Sequence, residues 1–433
     1  GTEQRLKHLA HHRAKNLRAL LRGEPLPWDP AEINQRGVLT LEEMDYPSRI
    51  EAAFDLEPTP AEERHLILHR RWALHALFTS HPDLAPLEHH LRTEWASLRP
   101  QLEKRSSTWA EAVAIARVDP DRERREVAWK ALQAIAGPLV NDTAELIRRR
   151  ELLARSLVAT GFPVVAFHFH ELDRSDIVGL LDILERYTRR TFEQTKKEIA
   201  SALGLHDLEP WDMDVGFARL GELPVSAIDD PDAALKAEAE RWGFDPSRFP
   251  TGEETPNLVL DAWPMWLDPP SDTRALFRPA NEWTTLRARF RAFGAALHGA
   301  HVATRRHFLE QDSAVMVEAT GRIFESLLDD PEWLGRHTRV DGDSLDTHLH
   351  LARRRRILEL RRDAALTAFE NLAYAPSELE PQRLYADVVE HMLQETRRPE
   401  AIWASHPDLI FRPFARGAAI AGAMIAAQTR QAL

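Results

Sequence analysis

From Pro60 to the C-terminus, apolar residues recur at steps of three and four, the spacing that lines one face of a helix. That spacing predicts helices over 60–79, 84–104, 107–117, 121–137, 139–159 and 173–204, then 230–242, 283–310, 313–329, 344–370, 381–395 and 412–432. An earlier helix over 3–22 is rich in Lys, Arg and His and stops at Gly23 and the Pro25-Leu-Pro27 turn. Residues 30–58 read as mixed and polar, punctuated by Pro30, Pro47 and Pro58. Two stretches leave the helical period. Val164 to His170 alternates weakly, as a short strand would, and 256–279 holds two strand-like runs, 257–263 and 273–277, separated by Pro269-Pro270. The expected architecture is mainly α with a small antiparallel hairpin.

The helix after that hairpin organises the rest. Leu286, Phe290, Phe293 and Leu297 form its buried stripe, and Gly294, Ala295 and Ala296 are small enough to admit a second backbone. Arg291, Ala295 and His298 stack on a neighbouring face. Composition narrows the class. With 433 residues there is ample chain for a substantial core. A net charge of −12 argues against a nucleic-acid partner. The lack of cysteine excludes disulfides, thiolate metal sites and thiol catalysis, and fits a cytoplasmic location. No apolar run reaches membrane-spanning length, and the stretch from Gly1 lacks the apolar core of a signal peptide.

The frame Phe290-Arg-Ala-Phe-Gly-Ala-Ala-Leu-His298 resembles the active-site helix of the thimet oligopeptidase and oligopeptidase F zinc peptidases, Phe-His-Glu-Phe-Gly-His-Ala-Leu-His. The framework matches while the chemistry does not. Arg291 and Ala295 stand at the two zinc-ligand positions, and Ala292 at that of the general-base glutamate. In an active member, two histidines one turn apart hold zinc, and the metal brings its water's pKa to about 7. Neither arginine nor alanine can take those roles.

The resemblance extends over roughly 110–430. Asn141 to Ala154 followed by Thr160-Gly-Phe162 is similar to the family's arginine-rich helix and Gly-Phe turn, and Glu209-Pro-Trp-Asp212 to its Pro-Trp-Asp element. The hairpin falls where the family places the edge strand of its substrate cleft. Val317-Glu318 to Glu325 matches the third-ligand segment, with Glu318 at the ligand position and Glu325 at that of a supporting carboxylate. Phe411-Arg-Pro-Phe414-Ala-Arg-Gly417 resembles a Tyr-x-x-Tyr-x-x-Gly element whose hydroxyls stabilise the oxyanion; both tyrosines are phenylalanine here. His406 stands where a preceding histidine is expected.

The resemblance implies a two-lobed helical fold around a central cleft, with 1–110 an N-terminal helical region, 111–255 a helical lobe and 256–433 a degenerate catalytic lobe. The expected function is an inactive peptidase homologue that binds a peptide or protein segment without zinc. Arg291 and Glu318 would then face each other as an ion pair, in a cleft also lined by His298, His406 and Trp263. Two other readings stand: an active zinc peptidase using His298, His301 and Glu318, or a structural helical protein with a closed cleft. Other features invite blander readings. His168, His170 and Glu171, and Asp343, Asp346, His348 and His350, lack a convincing ligand set. Arg353 to Arg356 reads as a solvated face, and Trp263, Trp266 and Trp283 as cleft or core around the hairpin.

Overall fold

The structure is a computed structural model that describes residues 2–43, 49, 52–53, 55–158, 160–279, 282–302, 313–375, 379–396 and 401–432. Helices dominate, and their ends follow local chemistry. Thr59 and Glu62 form a reciprocal capping box at the start of Pro60–Ser80. Asp121 caps Arg122–Ala134 by accepting from Glu123 N. The long helix Arg174–Leu203 stops at Gly204, whose φ of 66° suits a residue without a Cβ.

Several segments differ from the sequence expectation; the helix expected over 84–104 ends at Ser97, and Gln101–Leu102 pairs antiparallel with Arg105–Ser106. Residues 162–169 are a helix, Phe162–Phe169, not a strand. Its apolar side chains are buried on most sides, so the run carries no polar face from which a period could be read. Pro30–Glu43 is also helical, with Pro30 in its first turn, where a missing N–H costs nothing. The expected helix over 283–310 is seen as Trp283–His301, and residues 303–312 lie outside the described ones.

The larger sheet has three strands rather than two. Asp272–Phe277 lies in the middle, antiparallel to Ala262–Asp268 and parallel to Thr251–Glu254. The strand Ala262–Asp268 is therefore an edge, and Pro264, which has no N–H to donate, sits within it. Its side chains alternate, with Trp263, Met265 and Leu267 buried. The N-terminal helix Thr2–Arg22 crosses this strand, and His11 Nδ1 donates to Leu267 O at 2.9 Å. The largest apolar core runs through all parts of the chain, joining Leu21 and Phe78 to Phe167, Leu276, Phe369 and Ile420.

The helix Trp283–His301 packs against Ala314–Glu325, which packs in turn against Ala415–Ala432. Their close approach depends on glycine. A Cβ on Gly294 would lie 2.7 Å from Phe324 Cδ2 and 2.9 Å from Thr320 O, and one on Gly321 would lie 2.7 Å from Arg291 O. At the second crossing, a Cβ on Gly422 would lie 2.8 Å from Glu318 Cβ. These neighbours include backbone atoms that cannot swing aside. Gly321→Ala is accordingly expected to lower stability by about 1–3 kcal/mol, the cost of overpacking a well-packed crossing. Urea denaturation measures it, and a loss within error of zero would mean that the two helices can slide apart.

Candidate functional site

The start of the helix Trp283–His301 is fixed to the sheet by charge. Glu282 caps it, accepting from Thr284 N at 2.6 Å and Thr285 N at 3.1 Å, and also accepts from Arg117 at 2.7 Å. Arg117 reaches on to Asp261 at 2.9 and 3.2 Å, just before the edge strand. Burial works to raise the Asp261 carboxyl, but Arg117 and Arg278 outweigh it and hold that group well below the usual carboxylate range.

One face of the helix, Ala288, Arg291, Ala292 and Ala295, then lines a cavity of about 90 Å³. Glu318 enters from the facing helix, Leu260 to Pro264 from the sheet edge, and Arg412, Ala415, Arg416 and Ala419 from the C-terminal segment. The structure thus brings together Arg291, Ala292, Ala295 and Glu318, four positions that the resemblance singles out. Pro264, Glu318, Arg412 and Ala415 also border a larger chamber of about 420 Å³, within the range of ligand-binding clefts. Trp263, Trp266 and Phe411 line that chamber, together with Arg13, Leu17 and Leu20 of the N-terminal helix.

The expected ion pair between Arg291 and Glu318 is not formed. On this helix Arg287 pairs with Asp329 and Arg289 with Asp232, whereas Arg291 makes no ion pair among the described residues. Glu318 Oε2 is buried without a hydrogen-bond partner. Glu325 lies deeper, fully enclosed. Arg322 Nη1 donates to it at 3.0 Å, and Arg287 stands 3.9 Å away. Burial raises the Glu325 carboxyl, but Arg322, Arg291 and Arg287 prevail and bring it down to about 2.

From Arg322 a buried chain of alternating charge runs towards the cavity. Arg322 donates to Asp363 at 2.9 Å, and Asp363 accepts from Arg416, also at 2.9 Å. Arg416 and Arg412 both donate to Asp408, the latter at 3.2 Å. The Arg412 guanidinium lies 4.1 Å from the centroid of the Trp263 ring. Neither Arg412 nor Arg416 was singled out by the sequence reading. Arg412 follows Asp408 by four residues and Arg416 by eight, but the turn at Pro413 hides that spacing from a helical pattern.

Other expected site residues fall elsewhere. Phe414 faces away from the cavity, packed against Phe167 at 4.7 Å and Tyr374 at 5.7 Å between ring centroids. Its φ of 64° lets its N–H donate to the buried Glu370 at 2.9 Å. His406 borders a separate cavity of about 320 Å³. Burial there, against the pull of Asp408, takes it down to about 4. His298 donates to Thr320 Oγ1 at 3.1 Å, since that hydroxyl gives its own proton to Met316 O. His301 donates to Leu297 O at 3.0 Å and packs against Phe244. Trp283 is core, not cleft, and donates to Leu223 O.

The sequence's alternative clusters do not assemble. His170 donates to Pro413 O at 3.0 Å, from the end of a helix rather than a strand, and Glu171 pairs with Arg71. His348 is buried against Trp283. Arg355, expected on a solvated face, is instead buried between Asp214 and Glu222.

With fold and site in place, the class becomes clear: the chain has the fold of the oligoendopeptidase F peptidases. Among solved structures it resembles a protein assigned as oligoendopeptidase F, with a TM-score of 0.71 at 13% identity over 91% of this chain and 75% of that one. It also resembles PZ peptidase A with an inhibitor, with a TM-score of 0.70 at 12% identity over 92% and 78%. A third is a protein assigned as oligoendopeptidase F from Bacillus anthracis, with a TM-score of 0.63 at 13% identity over 88% and 73%. No protein-family model and no curated protein sequence matches the chain.

Such a fold implies zinc, and the donor set at the cavity does not fit it. Asp261 is committed to Arg117 and Arg278, which leaves Glu318 as the single available carboxylate beside three guanidinium groups. Among the described residues no group of three His, Cys, Asp or Glu side chains is placed to hold a metal ion. No single described helix is long and apolar enough to cross a membrane.

Glu370 gives the region a distinct pH dependence. Burial pushes its carboxyl up to about 8, against the Phe414 N–H and Arg150. The unfolded chain releases this proton near 4.5 while the native state keeps it. The contribution to stability is therefore full below 4.5 and lost as pH rises towards 8, by at most about 1.4 kcal/mol per unit. Glu370→Gln should gain on the native protein over that interval. Melting curves of both proteins from pH 5 to 8 test it, and parallel profiles would rule out the shifted carboxyl.

Proposed function

We propose that this protein is a catalytically inactive peptidase homologue that binds an extended peptide without zinc. One observation carries the reading: the positions that would hold the metal and activate its water converge on one cavity as Arg291, Ala292 and Ala295, with Glu318 as the lone carboxylate ligand. Arginine carries a fixed positive charge and no lone pair for a metal, and alanine cannot accept a proton from water. The phenylalanines at 411 and 414 leave no hydroxyl for an oxyanion, and Phe414 points into the core.

Peptide binding is supported by the sheet edge, where the strand Ala262–Asp268 has a neighbouring strand on one side only. An extended segment can add to the strand Ala262–Asp268 through main-chain hydrogen bonds while its side chains enter the 420 Å³ chamber. That chamber weighs against the closed-cleft alternative. The alternative with His298, His301 and Glu318 as ligands is disfavoured because neither histidine lines the cavity that Glu318 enters. The cysteine-free composition is compatible with the cytoplasm.

Zinc analysis of purified protein is expected to give far less than one metal per chain, with no chelator-sensitive cleavage of quenched peptides. The framework itself can be tested by Arg291→His combined with Ala292→Glu and Ala295→His, which should bind one zinc together with Glu318. Stoichiometric zinc and cleavage by the natural sequence would falsify the proposal.

A further inference from the structure

We propose that the cavity between Arg291 and Glu318 receives the C-terminal end of a bound peptide, with Arg291 and Arg412 holding the α-carboxylate and Glu318 accepting from the last amide N–H. This rests on the peptide-binding reading and adds which part of the peptide the former metal position recognises.

The charges at the cavity are unequal in how far they are spent. Arg416 is satisfied by Asp408 and Asp363, and Asp261 by Arg117 and Arg278. Arg291 has no ion pair among the described residues, and Arg412 shares Asp408 with Arg416. Two atoms of the wall are buried without a hydrogen-bond partner: Arg412 Nε, a donor, and Glu318 Oε2, an acceptor. Orphaned groups of both kinds at one cavity call for a ligand with both complementary functions.

A peptide group from mid-chain offers one carbonyl and one N–H but no charge, so it gives the Arg291 guanidinium no ion pair. The last residue of a peptide offers a carboxylate and, two bonds from its carboxyl carbon, an amide N–H. Guanidinium groups bind carboxylates through charge-assisted hydrogen bonds, which are the strong ones. The size of the cavity agrees. Its volume of about 90 Å³, with Ala288, Ala292, Ala295, Ala415 and Ala419 in the wall, leaves room for a small terminal residue. The route agrees too. Pro264, Glu318, Arg412 and Ala415 border both spaces, so a chain lying in the larger chamber along the sheet edge reaches the cavity by its end.

The test is calorimetric titration of the intact protein with an N-acetylated oligo-alanine peptide bearing a free C-terminal carboxylate, beside the same peptide as its C-terminal amide. The acid is expected to bind roughly ten-fold or more tightly than the amide. Arg291→Ala should abolish that preference, and Arg291→Lys should restore part of it. Because the two ligands are compared on the unmodified protein, the result does not hinge on a variant folding. Equal affinity for acid and amide would overturn the carboxylate site while leaving peptide binding intact. Binding of neither peptide would overturn the peptide-binding reading itself.

Discussion

The contact on which this architecture depends is between two backbones. Gly321 lies so close to Arg291 O that a Cβ would stand 2.7 Å from it, and Gly294 lies equally close to Phe324 on the other side of the crossing. Helices bearing ordinary side chains pack with axes about 8–10 Å apart. Glycine at the contact draws these two together, and Glu318, one turn before Gly321, is thereby carried into the cavity that Arg291 lines. The cavity is a consequence of that approach. Alanines make up much of its wall, and it opens towards the larger chamber through Pro264, Glu318, Arg412 and Ala415.

Around this crossing the protein is held by paired charge as much as by apolar packing. Glu325, Arg322, Asp363, Arg416, Asp408 and Arg412 alternate in sign and join the helix Ala314–Glu325 to Gly342–Ala373 and to the C-terminal segment. Buried ions are costly singly, and removing one partner leaves the other stranded at a cost of about 3–5 kcal/mol. The chain therefore specifies geometry: Arg322 and Arg416 each hold two carboxylates in place, and Arg412 shares Asp408 with Arg416. These ion pairs support the cavity wall from behind.

Much of this was readable from the residues. Helix positions followed the apolar period and the caps, and the cavity positions followed the frame Phe290–His298. What escaped has identifiable causes. The helix Phe162–Phe169 has too few polar residues to reveal a period, and the strand Thr251–Glu254 is short and polar, made a strand by its pairing with Asp272–Phe277. The N-terminal helices carry no motif, yet Arg13, Leu17 and Leu20 wall the chamber, which only tertiary packing decides. The expected Arg291–Glu318 pair does not form, because sharing a cavity does not bring two side chains into contact.

The survival of Phe290, Phe293, Gly294 and Leu297 says little about catalysis. Those residues are buried or fill the crossing, and the packing of this chain needs them whether or not it cleaves peptides. Positions that only chemistry requires are the informative ones, and there the chain has Arg291, Ala292 and Ala295. An alanine in place of a ligand simply empties a site. An arginine does more, because it brings a permanent charge into a partly buried position, where a charge without a counter-ion is costly. A group that is expensive to keep unpaired argues for something that pairs with it; Glu318 does not, and Glu325 acts on Arg291 only at a distance.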